Sequence, residues 1–469
     1  MKGQLSAFAM AIDGELHGAD ARFDGASIDT RRITRDALFF ALTGENTDGH
    51  AFVETAASLG AAAAVVTHPV ACSLPQIVVA DVEHALQRAG QIARAGFAGP
   101  VVGVTGSNGK TTVKQMIAAI FAEAGTALAT EGNLNNHLGV PLTLMRLDGG
   151  FERAVIEMGA NHPGEIARLT EWAQPTVGVI TNAGWAHLEG FGSREGIARA
   201  KGELFSRLPD NGTAVINADD EFADFWRARV GRRRVIQFSC RAETQADVYP
   251  EHVALNSQGA EFTLVIPNGQ AAVTLGLAGE HNIANAMAAA AVGVAVGLTA
   301  QQIAEGLAQM SAVRGRLAIT AAHHHARLVD DSYNANPGSL AAALAWLSQQ
   351  SGQRWAALGD MGELGAFTES AHRDAGVAAR EAGVEKLFLT GRYSQLTADS
   401  FGDGAVWFAD HAALSAALDA ALAAESSGEA EADVIILVKG SRSARMDRVA
   451  DALMASKSGT AADKAGAPC

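Results

Sequence analysis

The chain alternates short apolar runs with longer amphipathic segments, most regularly after about residue 97. Four apolar runs have the length of buried strands in a parallel sheet: 101–104, 154–158, 177–181 and 214–217. Segments with helical spacing of apolar residues separate them, so right-handed strand–helix–strand crossovers are the economical topology. The pattern predicts a central parallel sheet with helices on its faces.

The regions on either side of this centre show the same kinds of pattern. Strands are also expected at 61–66, 76–80, 317–320, 326–329, 355–358, 386–390, 406–409 and 434–438. A helix is expected at 52–60, antiparallel hairpins at 245–277 and a buried helix at 282–296. The longest apolar run, 286–298, is too short to span a membrane. The small, polar tail from residue 456 is predicted to be disordered.

A glycine-rich turn, VTGSNGKTT, connects the first central strand to an amphipathic helix with a predicted stop at Gly125. The strict phosphate-loop pattern needs a glycine six positions before Lys110, where this chain has valine. The turn nevertheless aims backbone N–H groups and a helix N-terminus at an anion. Lys110 adds a positive charge, and the Thr111 hydroxyl suits Mg²⁺. The alternative is a tight turn without a ligand, but the strand–turn–helix context favours a nucleotide site.

Three further polar residues follow or lie near predicted strand ends. Glu157 ends an apolar strand, His187 lies just beyond another, and Lys201 lies on a predicted helix. Ligand sites of parallel sheets gather at the carboxyl ends of strands, and a carboxylate there is suited to Mg²⁺. Each residue also has an ordinary interpretation, as an exposed glutamate, a loop histidine and a surface lysine.

Composition and charge restrict the class of protein. A length of 469 residues suggests about three domains. The net charge of -15 argues against nucleic acid as the main partner, although anionic small molecules remain possible. The densest basic run, 232–234, is interpreted as a solvated turn. Three cysteines without metal-like spacing, and no secretory signal pattern, favour a reducing cytoplasm.

Three consecutive histidines, 323–325, raise the possibility of a metal site. On a strand they would point to alternating faces and could not all reach one ion. A polar hairpin turn is therefore the favoured interpretation.

Several long motifs resemble the Mur ligase family, and they occur in the family's order. They are GVTGSNGKTT, EMGANHPGEI, TNAGWAHLEGFGSREGIARAKGELF, GEHNIANA, GRL, DDSYNANPGSL, LGDMGELG and VKGSRSARMDRV. The N-terminal SIDTRRITRDALFFALTGENTDGH resembles the uridine-binding module of this family, and the resemblance covers roughly residues 25–452. The departure from the strict phosphate loop is the family's own form of that loop.

The resemblance implies an α/β protein of three domains that acts as an ATP-dependent amide ligase with Mg²⁺. A small N-terminal domain, 1–82, would bind the UDP end of the donor. A central parallel-sheet domain of the phosphate-loop ATPase type, 83–313, would bind ATP. A C-terminal Rossmann-like domain, 314–455, would complete the ligase before the tail at 456–469.

The resemblance also implies the substrates. DSYNANP points to the family member that joins D-alanyl-D-alanine to UDP-N-acetylmuramoyl-tripeptide. The expected partners are these small molecules, with no nucleic acid and no membrane span. The chain is expected to act as a monomer in the cytoplasm. Arg314 stands where many relatives have proline, which could alter the stiffness of the hinge between domains.

Site residues follow from the same motif matches. The catalytic set is Lys110, Glu157, His187 and Lys201. The nucleotide set is Gly106, Ser107, Asn108, Gly109, Lys110, Thr111, Thr112, Asn282, Arg316 and Asp331, the last two being residues that close on the nucleotide in the family. The substrate set is Ser27, Thr30, Arg31, Asp48, Gly49, His50, Asn135, Asn136, Asn334 and Asn336. The metal set is Thr111, Glu157, His187 and Lys201, with Lys201 carbamylated.

Two alternatives differ from this interpretation. Folylpolyglutamate synthetase is a related ATP-dependent ligase, but the N-terminal uridine-module pattern and DSYNANP argue against it. A protein that only hydrolyses ATP as a conformational switch would not need a donor and an acceptor for phosphate release. The sequence leaves open whether the third residue of the donor peptide is meso-diaminopimelate or lysine.

Overall fold

The computed structural model describes residues 1–426 and 433–454, so the predicted tail at 456–469 lies outside the described residues. The chain forms two compact units, Met1–Met310 and a second that begins at Ser311. The predicted division at 82/83 falls inside the first unit, and the domain boundaries stay predictions. No helix among the described residues combines the length and apolar character needed to cross a bilayer.

The N-terminal part of the first unit is a small mixed sheet with helices. Its elements are β1 (Lys2–Gln4), α1 (Leu5–Ala11), β2 (Glu15–His17), β3 (Arg22–Asp24), β4 (Ala26–Ser27), β5 (Leu38–Phe40), α2 (Val53–Ser58), β6 (Ala63–Val66), β7 (Gln76–Val78) and α3 (Val82–Ala95). The sheet order is β2-β7-β6-β5-β4, with only the β2–β7 pair antiparallel. Helix α3 packs its apolar face into the core of this sheet through Val82, Leu86 and Ala89.

A six-stranded parallel sheet forms the centre of the first unit. Its elements are β8 (Val101–Thr105), α4 (Lys110–Ala122), β9 (Ala127–Ala129), α5 (Gly139–Leu144), β10 (Arg153–Glu157), α6 (Glu165–Ala173), β11 (Val177–Ile180), α7 (Leu188–Phe191), α8 (Arg194–Ser206), β12 (Thr213–Asn217), α9 (Ala223–Val230) and β13 (Arg234–Phe238). The order is β13-β12-β11-β8-β10-β9. The fully buried β8 lies between β10 and β11, so the ends of these three strands meet at one edge.

Antiparallel strands and two helices complete the first unit. They are β14 (Tyr249–Leu255), β15 (Ala260–Ile266), β16 (Gly269–Leu275), α10 (Glu280–Ala295) and α11 (Ala300–Ala308). The alanine-rich α10 is buried almost throughout and shares one core with α4 and the central sheet. This packing brings the start of α10 to the start of α4.

The second unit is another α/β layer structure. Its elements are β17 (Ala318–Ala321), β18 (Arg327–Asp331), α12 (Pro337–Ser348), β19 (Gln353–Gly359), α13 (Thr368–Glu381), β20 (Lys386–Thr390), α14 (Ser394–Phe401), β21 (Ala405–Phe408), α15 (His411–Ser426), β22 (Val434–Lys439) and α16 (Asp447–Leu453). The order is β17-β18-β22-β19-β20-β21, and only β17 runs antiparallel to its neighbour. The predicted α/β class with parallel sheets is confirmed.

The observed elements differ from the prediction in several places. Strand β9 and the short strands β1–β5 were not predicted individually. Strand β13 was not predicted, because a short edge strand that follows a basic turn has a weak apolar pattern. Arg234 opens this strand, and Arg233 donates to the Leu208 carbonyl over 2.8 Å, so part of the basic run is structural rather than solvated. Helix α4 ends at Ala122, three residues before the predicted stop at Gly125.

The three histidines form a 3-10 turn that joins β17 to β18, which confirms the polar hairpin turn. His323 Nδ1 lies 2.9 Å, and His324 Nε2 3.3 Å, from the same Asp419 oxygen. Within the described part of the chain, no group of three or more histidine, cysteine or acidic residues has an arrangement that suits an ion.

Candidate active site

The turn between β8 and α4 needs glycine at two positions. Gly106 has φ +148° and Gly109 has φ +80°, a region that side chains rarely adopt. A Cβ at Gly106 would collide with the Thr181 hydroxyl, and one at Gly109 would collide with the Asn285 side chain. Both glycines therefore permit a close packing of the turn against neighbouring elements.

The end of β11 holds the turn in place. Ser107 N donates to the Asn182 carbonyl, and Asn108 N donates to the Asn182 side chain, each over 3.0 Å. Thr181 Oγ1 donates to the Asn108 carbonyl over 2.6 Å. These bonds fix the backbone of the turn before any anion is bound.

The first residues of α4 carry the predicted phosphate and metal groups. Lys110 Nζ donates to the carbonyls of Gly106 over 2.7 Å and Ser107 over 3.2 Å, so the side chain folds back along the turn. Thr111 Oγ1 lies 3.3 Å from Glu157 Oε1, which joins the helix start to the end of β10. Thr112 lies in the same first turn of the helix. The structure brings Lys110, Thr111 and Glu157 together as the sequence predicts.

Glu157 is a buried carboxylate whose Oε1 is hydrogen-bonded, whereas its Oε2 forms an ion pair but no hydrogen bond among the described residues. Its Oε1 accepts a hydrogen bond from Asn135 Nδ2 over 2.8 Å, and its Oε2 lies 3.3 Å from Lys114 Nζ. Its backbone N–H donates to Thr130 Oγ1 over 3.0 Å. The Thr111 hydroxyl and the Glu157 carboxylate are hard oxygen donors beside a phosphate turn. They fit Mg²⁺, which is usually held by one or two carboxylates with substrate phosphates and water.

Lys201 lies on α8 with its ammonium group fully buried. Its Nζ has no hydrogen-bond partner among the described residues and lies 5.3 Å from the centroid of the Phe191 ring. Burial, followed by the positive charge of Lys110, lowers the pKa of Lys201 to about 7. The nearby Glu203 carboxylate accepts backbone hydrogen bonds from Gly164 and Ala167. The ordinary interpretation of Lys201 as a surface lysine is therefore not what the structure shows.

His187 precedes the short helix α7, at φ +57° and ψ +35°. This left-handed conformation ends the extended segment after β11 and starts the turn that leads to Phe191. The aromatic ring of Phe191 in turn faces the Lys201 ammonium. Helix α7 thus lies between His187 and the ring that faces Lys201.

The start of α10 contributes an asparagine pair next to the turn. Asn282 Nδ2 donates to the Ala278 carbonyl over 2.7 Å, and Asn285 Nδ2 donates to Asn282 Oδ1 over 3.0 Å. Asn285 packs against Gly109. The predicted residue Asn282 contacts Asn285, so Asn285 lies between Asn282 and the turn.

Sequence reasoning missed Lys114, Thr181, Asn182 and Asn285. Thr181 and Asn182 directly follow β11, so the strand-end rule applied to Glu157 would also have found them.

Two turns of the N-terminal sheet carry the predicted donor residues. In the first, Ser27 Oγ donates to the Asp29 carbonyl, and Arg31 pairs with the Asp29 carboxylate over 2.7 Å. The following Arg32 lies 3.5 Å from Glu131, in the segment that leads to Asn135. This first turn, which includes Thr30, therefore reaches the central sheet.

The second turn is closed by its own side chains. Asp48 Oδ1 accepts from His50 N over 3.0 Å and lies 2.7 Å from His50 Nδ1. His50 Nε2 accepts from Thr67 N over 2.9 Å. Gly49 is buried, and a Cβ there would meet the Leu42 backbone. The hydrogen bond from His50 N holds the pKa of Asp48 below its usual range.

The predicted residues of the second unit form a network of their own. Arg316 lies 4.3 Å from the centroid of the Tyr333 ring, and Asp331 pairs with the buried Lys439. Lys439 also donates to the Asn334 carbonyl over 3.0 Å. Asn336 caps α12 by accepting from Ser339 N over 2.9 Å. The roles of these residues toward nucleotide and substrate stay predictions.

Arg314, which stands where many relatives have proline, pairs with Asp451, and a proline could not make this contact.

Comparison with known proteins places the chain in a family. Three family models match it: the Mur ligase family catalytic domain over residues 22–95, the Mur ligase middle domain over 104–293, and the Mur ligase glutamate ligase domain over 315–442. The chain belongs to the Mur ligase family, as the motifs indicated.

Individual relatives cover nearly the whole chain. The UDP-N-acetylmuramoyl-tripeptide–D-alanyl-D-alanine ligase of Escherichia coli K12 is 44% identical over 96% of this chain and 98% of its own length. A crystal structure of MurF from Acinetobacter baumannii is 33% identical, with a TM-score of 0.88 over 96% of this chain and 98% of that one. MurF ligase from Thermotoga maritima, in complex with ADP, is 26% identical, with a TM-score of 0.77 over 91% and 96%.

Proposed function

We propose that the chain is an ATP-dependent ligase that joins D-alanyl-D-alanine to UDP-N-acetylmuramoyl-tripeptide and releases UDP-N-acetylmuramoyl-pentapeptide, ADP and phosphate. The observation that carries this proposal is the 44% identity to a ligase of this name across 96% of the chain. The phosphate turn beside a buried carboxylate supports ATP as the energy source. This activity belongs to the synthesis of peptidoglycan precursors, and we place it in the cytoplasm.

The chemistry explains why ATP is required. A carboxylate does not react with an amine at neutral pH, because an oxide would have to leave. In the first step a donor carboxylate oxygen attacks the γ-phosphorus of ATP, and the bond from that phosphorus to ADP breaks. In the second step the free amine of D-alanyl-D-alanine attacks the acyl carbon of this acyl phosphate. Inorganic phosphate leaves, and the amine loses its proton.

The turn and Lys110 stabilise the charge of the first step. The backbone N–H groups at the start of α4 would face bound phosphates, and the lysine lies along the same turn. The transferring γ-phosphoryl group gathers negative charge, so preorganised positive groups lower its barrier more than they stabilise the ground state. The Lys110 side chain folds back onto the Gly106 carbonyl. Its ammonium group therefore lies within the turn that would hold these phosphates.

Thr111 and Glu157 are the residues that would hold Mg²⁺, with His187 and a carbamylated Lys201 holding a second ion. Bound Mg²⁺ supplies charge neutralisation of the phosphoryl oxygens. The chain's own contribution is to orient these ligands: Asn135 fixes Glu157 Oε1, and burial keeps a substantial fraction of the Lys201 amine neutral near pH 7. A neutral amine can add CO₂ and become an anionic carbamate, whereas an ammonium group has no acceptor for a metal.

The donor is proposed to bind at the two N-terminal turns, with Asn135 and Asn136 near its reacting end. Arg31, with its side chain largely exposed, is available to an anionic pyrophosphate. Asn334 and Asn336 are proposed as further substrate-binding residues. A monomer suffices for these assignments.

Release of ADP and phosphate with a panel of UDP-muramoyl peptides tests the proposal. Both products should require the donor and D-alanyl-D-alanine together, and comparing donors with meso-diaminopimelate or lysine identifies the third residue. ADP release without either substrate would instead favour a nucleotide switch. Ligation of glutamate to a folate would favour the folylpolyglutamate alternative.

A further inference from the structure

Lys114 is a buried cation one helical turn beyond Thr111 on α4. Only 4% of its side chain is exposed, and its Nζ lies 3.3 Å from Oε2 of Glu157, whose side chain is 2% exposed. The same ammonium donates to the Gly132 carbonyl over 3.3 Å. A lysine is almost never fully buried unless it is paired, so its position at this carboxylate is specific.

The two oxygens of Glu157 face different groups. Oε1 accepts from Asn135 and lies beside the Thr111 hydroxyl, whereas Oε2 faces the Lys114 ammonium. The carboxylate cannot rotate without breaking one of these contacts. Oε1 is therefore the oxygen presented to the phosphate turn.

We propose that Lys114 is a positioning residue that holds Oε2 of Glu157 and thereby presents Oε1 alone to the divalent cation that accompanies the nucleotide. The inference rests on the proposed function, because it takes Glu157 as a metal-binding residue. An ammonium has three donors and no acceptor, so Lys114 acts on the metal only through Glu157. Partners that orient a metal ligand typically change metal affinity by about 10–100-fold when they are removed.

The test is the Mg²⁺ requirement of ADP binding, measured by calorimetry on the full-length chain. In Lys114→Met, the Mg²⁺ concentration that gives half-maximal strengthening of ADP binding should rise about tenfold. ADP affinity in the absence of Mg²⁺ should stay unchanged, because the turn is held by other residues. Lys114→Arg keeps the positive charge and should recover most of the loss.

Removing one partner of a buried ion pair can prevent folding, so a melting curve accompanies each variant. If Lys114→Met does not fold, Lys114→Gln takes its place with the same expectation, because it removes the charge that faces Oε2 while keeping a polar side chain of similar length. A variant that melts earlier but keeps the Mg²⁺ requirement of the unsubstituted chain would show a purely structural role and overturn the proposal.

A Glu157→Gln variant distinguishes the role proposed for Lys114 from the metal-binding role proposed for Glu157. If it raises the Mg²⁺ requirement while Lys114→Met does not, only the role of Lys114 is wrong. If Glu157→Gln leaves the requirement unchanged, the metal assignment fails and the role of Lys114 fails with it. Ligase activity of the unsubstituted chain tests the proposed function independently, because ADP binding does not require the peptide substrates.

Discussion

Asn135 donates a hydrogen bond of 2.8 Å from its side-chain amide to Oε1 of Glu157. The family resemblance places Asn135 near the substrate and Glu157 at the metal, and the structure joins the two. The adjacent Asn136 has a different task, because its side chain accepts from Gly139 N over 2.9 Å at the start of α5. In the structure Asn135 therefore contacts the carboxylate proposed to bind the metal, whereas Asn136 orders the start of α5.

Asn135→Ala should raise the Mg²⁺ concentration needed for half-maximal ligation by about tenfold, because Glu157 loses a partner that orients it. Asn256→Ala is the matched control, because the Asn256 side chain accepts from Gly259 N over 2.8 Å in the turn between β14 and β15. It should leave the Mg²⁺ requirement unchanged and lower the free energy of unfolding by about 1 kcal/mol, as expected for one lost hydrogen bond. Metal titrations of initial rates and urea melts distinguish the two, and a reversed pattern would contradict the assignment.

Lys110→Ala should reduce kcat by ~10²-fold or more while the chain stays folded, because the lysine stabilises charge that develops on the γ-phosphoryl group. Phosphate release measures the rate, and circular dichroism measures the fold. Lys2→Ala removes an exposed lysine that pairs with Asp24 and serves as the control. If a folded Lys110→Ala variant ligates at a near-normal rate, the proposed phosphate-binding role of the turn is wrong.

Gly109→Ala should lose nucleotide binding and also stability. Gly297 offers a matched control, because its φ of +83° is almost the same but a Cβ there would meet nothing within 4 Å. Both alanines should cost ~1–2 kcal/mol from the left-handed backbone. The collision with Asn285 should make Gly109→Ala the more destabilising, by thermal melts. Equal losses with ADP binding intact would show that the close packing of the turn has no function.

Lys201→Ala should lose most ligase activity, and a short-chain carboxylic acid in the buffer is expected to restore part of it. With ¹³C-labelled bicarbonate, the unsubstituted chain should show a carbamate signal that Lys201→Ala lacks. The signal should grow as pH rises through about 7, because the pKa of Lys201 is lowered to about 7 and only the neutral amine reacts. A bare ammonium with bicarbonate, Mg²⁺ and nucleotide present would refute carbamylation.

The same lowered pKa predicts how stability depends on pH in CO₂-free buffer. Between about 7 and the ordinary lysine value of ~10.4, the unfolded chain binds more protons at this position than the folded chain. The free energy of unfolding should therefore rise with pH across this window through Lys201. Urea melts should show a flatter dependence for Lys201→Met, and identical slopes would contradict the burial of a neutral amine.

The parallel sheets and the turn were predictable because they depend on local patterns. Buried strands such as Val101–Thr105 are continuous apolar runs, and a glycine turn followed by Lys110 has a distinct composition. Strand β13 was missed because its pairing with β12 supplies the stability that its own sequence does not indicate. The sequence thus predicted best those strands whose own residues are apolar and buried.

The candidate site was predictable one residue at a time but not as a set of contacts. Glu157 was found because it ends a strand, but its pairing with Lys114 depends on where α4 lies against β10. Asn285 was missed because its role arises only when α10 packs against Gly109. Contacts between residues so far apart in the chain arise from tertiary packing, and the periodicity of a single segment does not predict them.

The anchoring of the turn by Asn182 and Thr181 has a thermodynamic consequence. Because these bonds already order the backbone of Ser107 and Asn108, the conformational entropy of the turn is lost during folding rather than during nucleotide association. A preorganised turn leaves more of the interaction energy as measured affinity. Loosening the two residues that follow β11 would thus weaken ATP binding through the disorder of the turn alone.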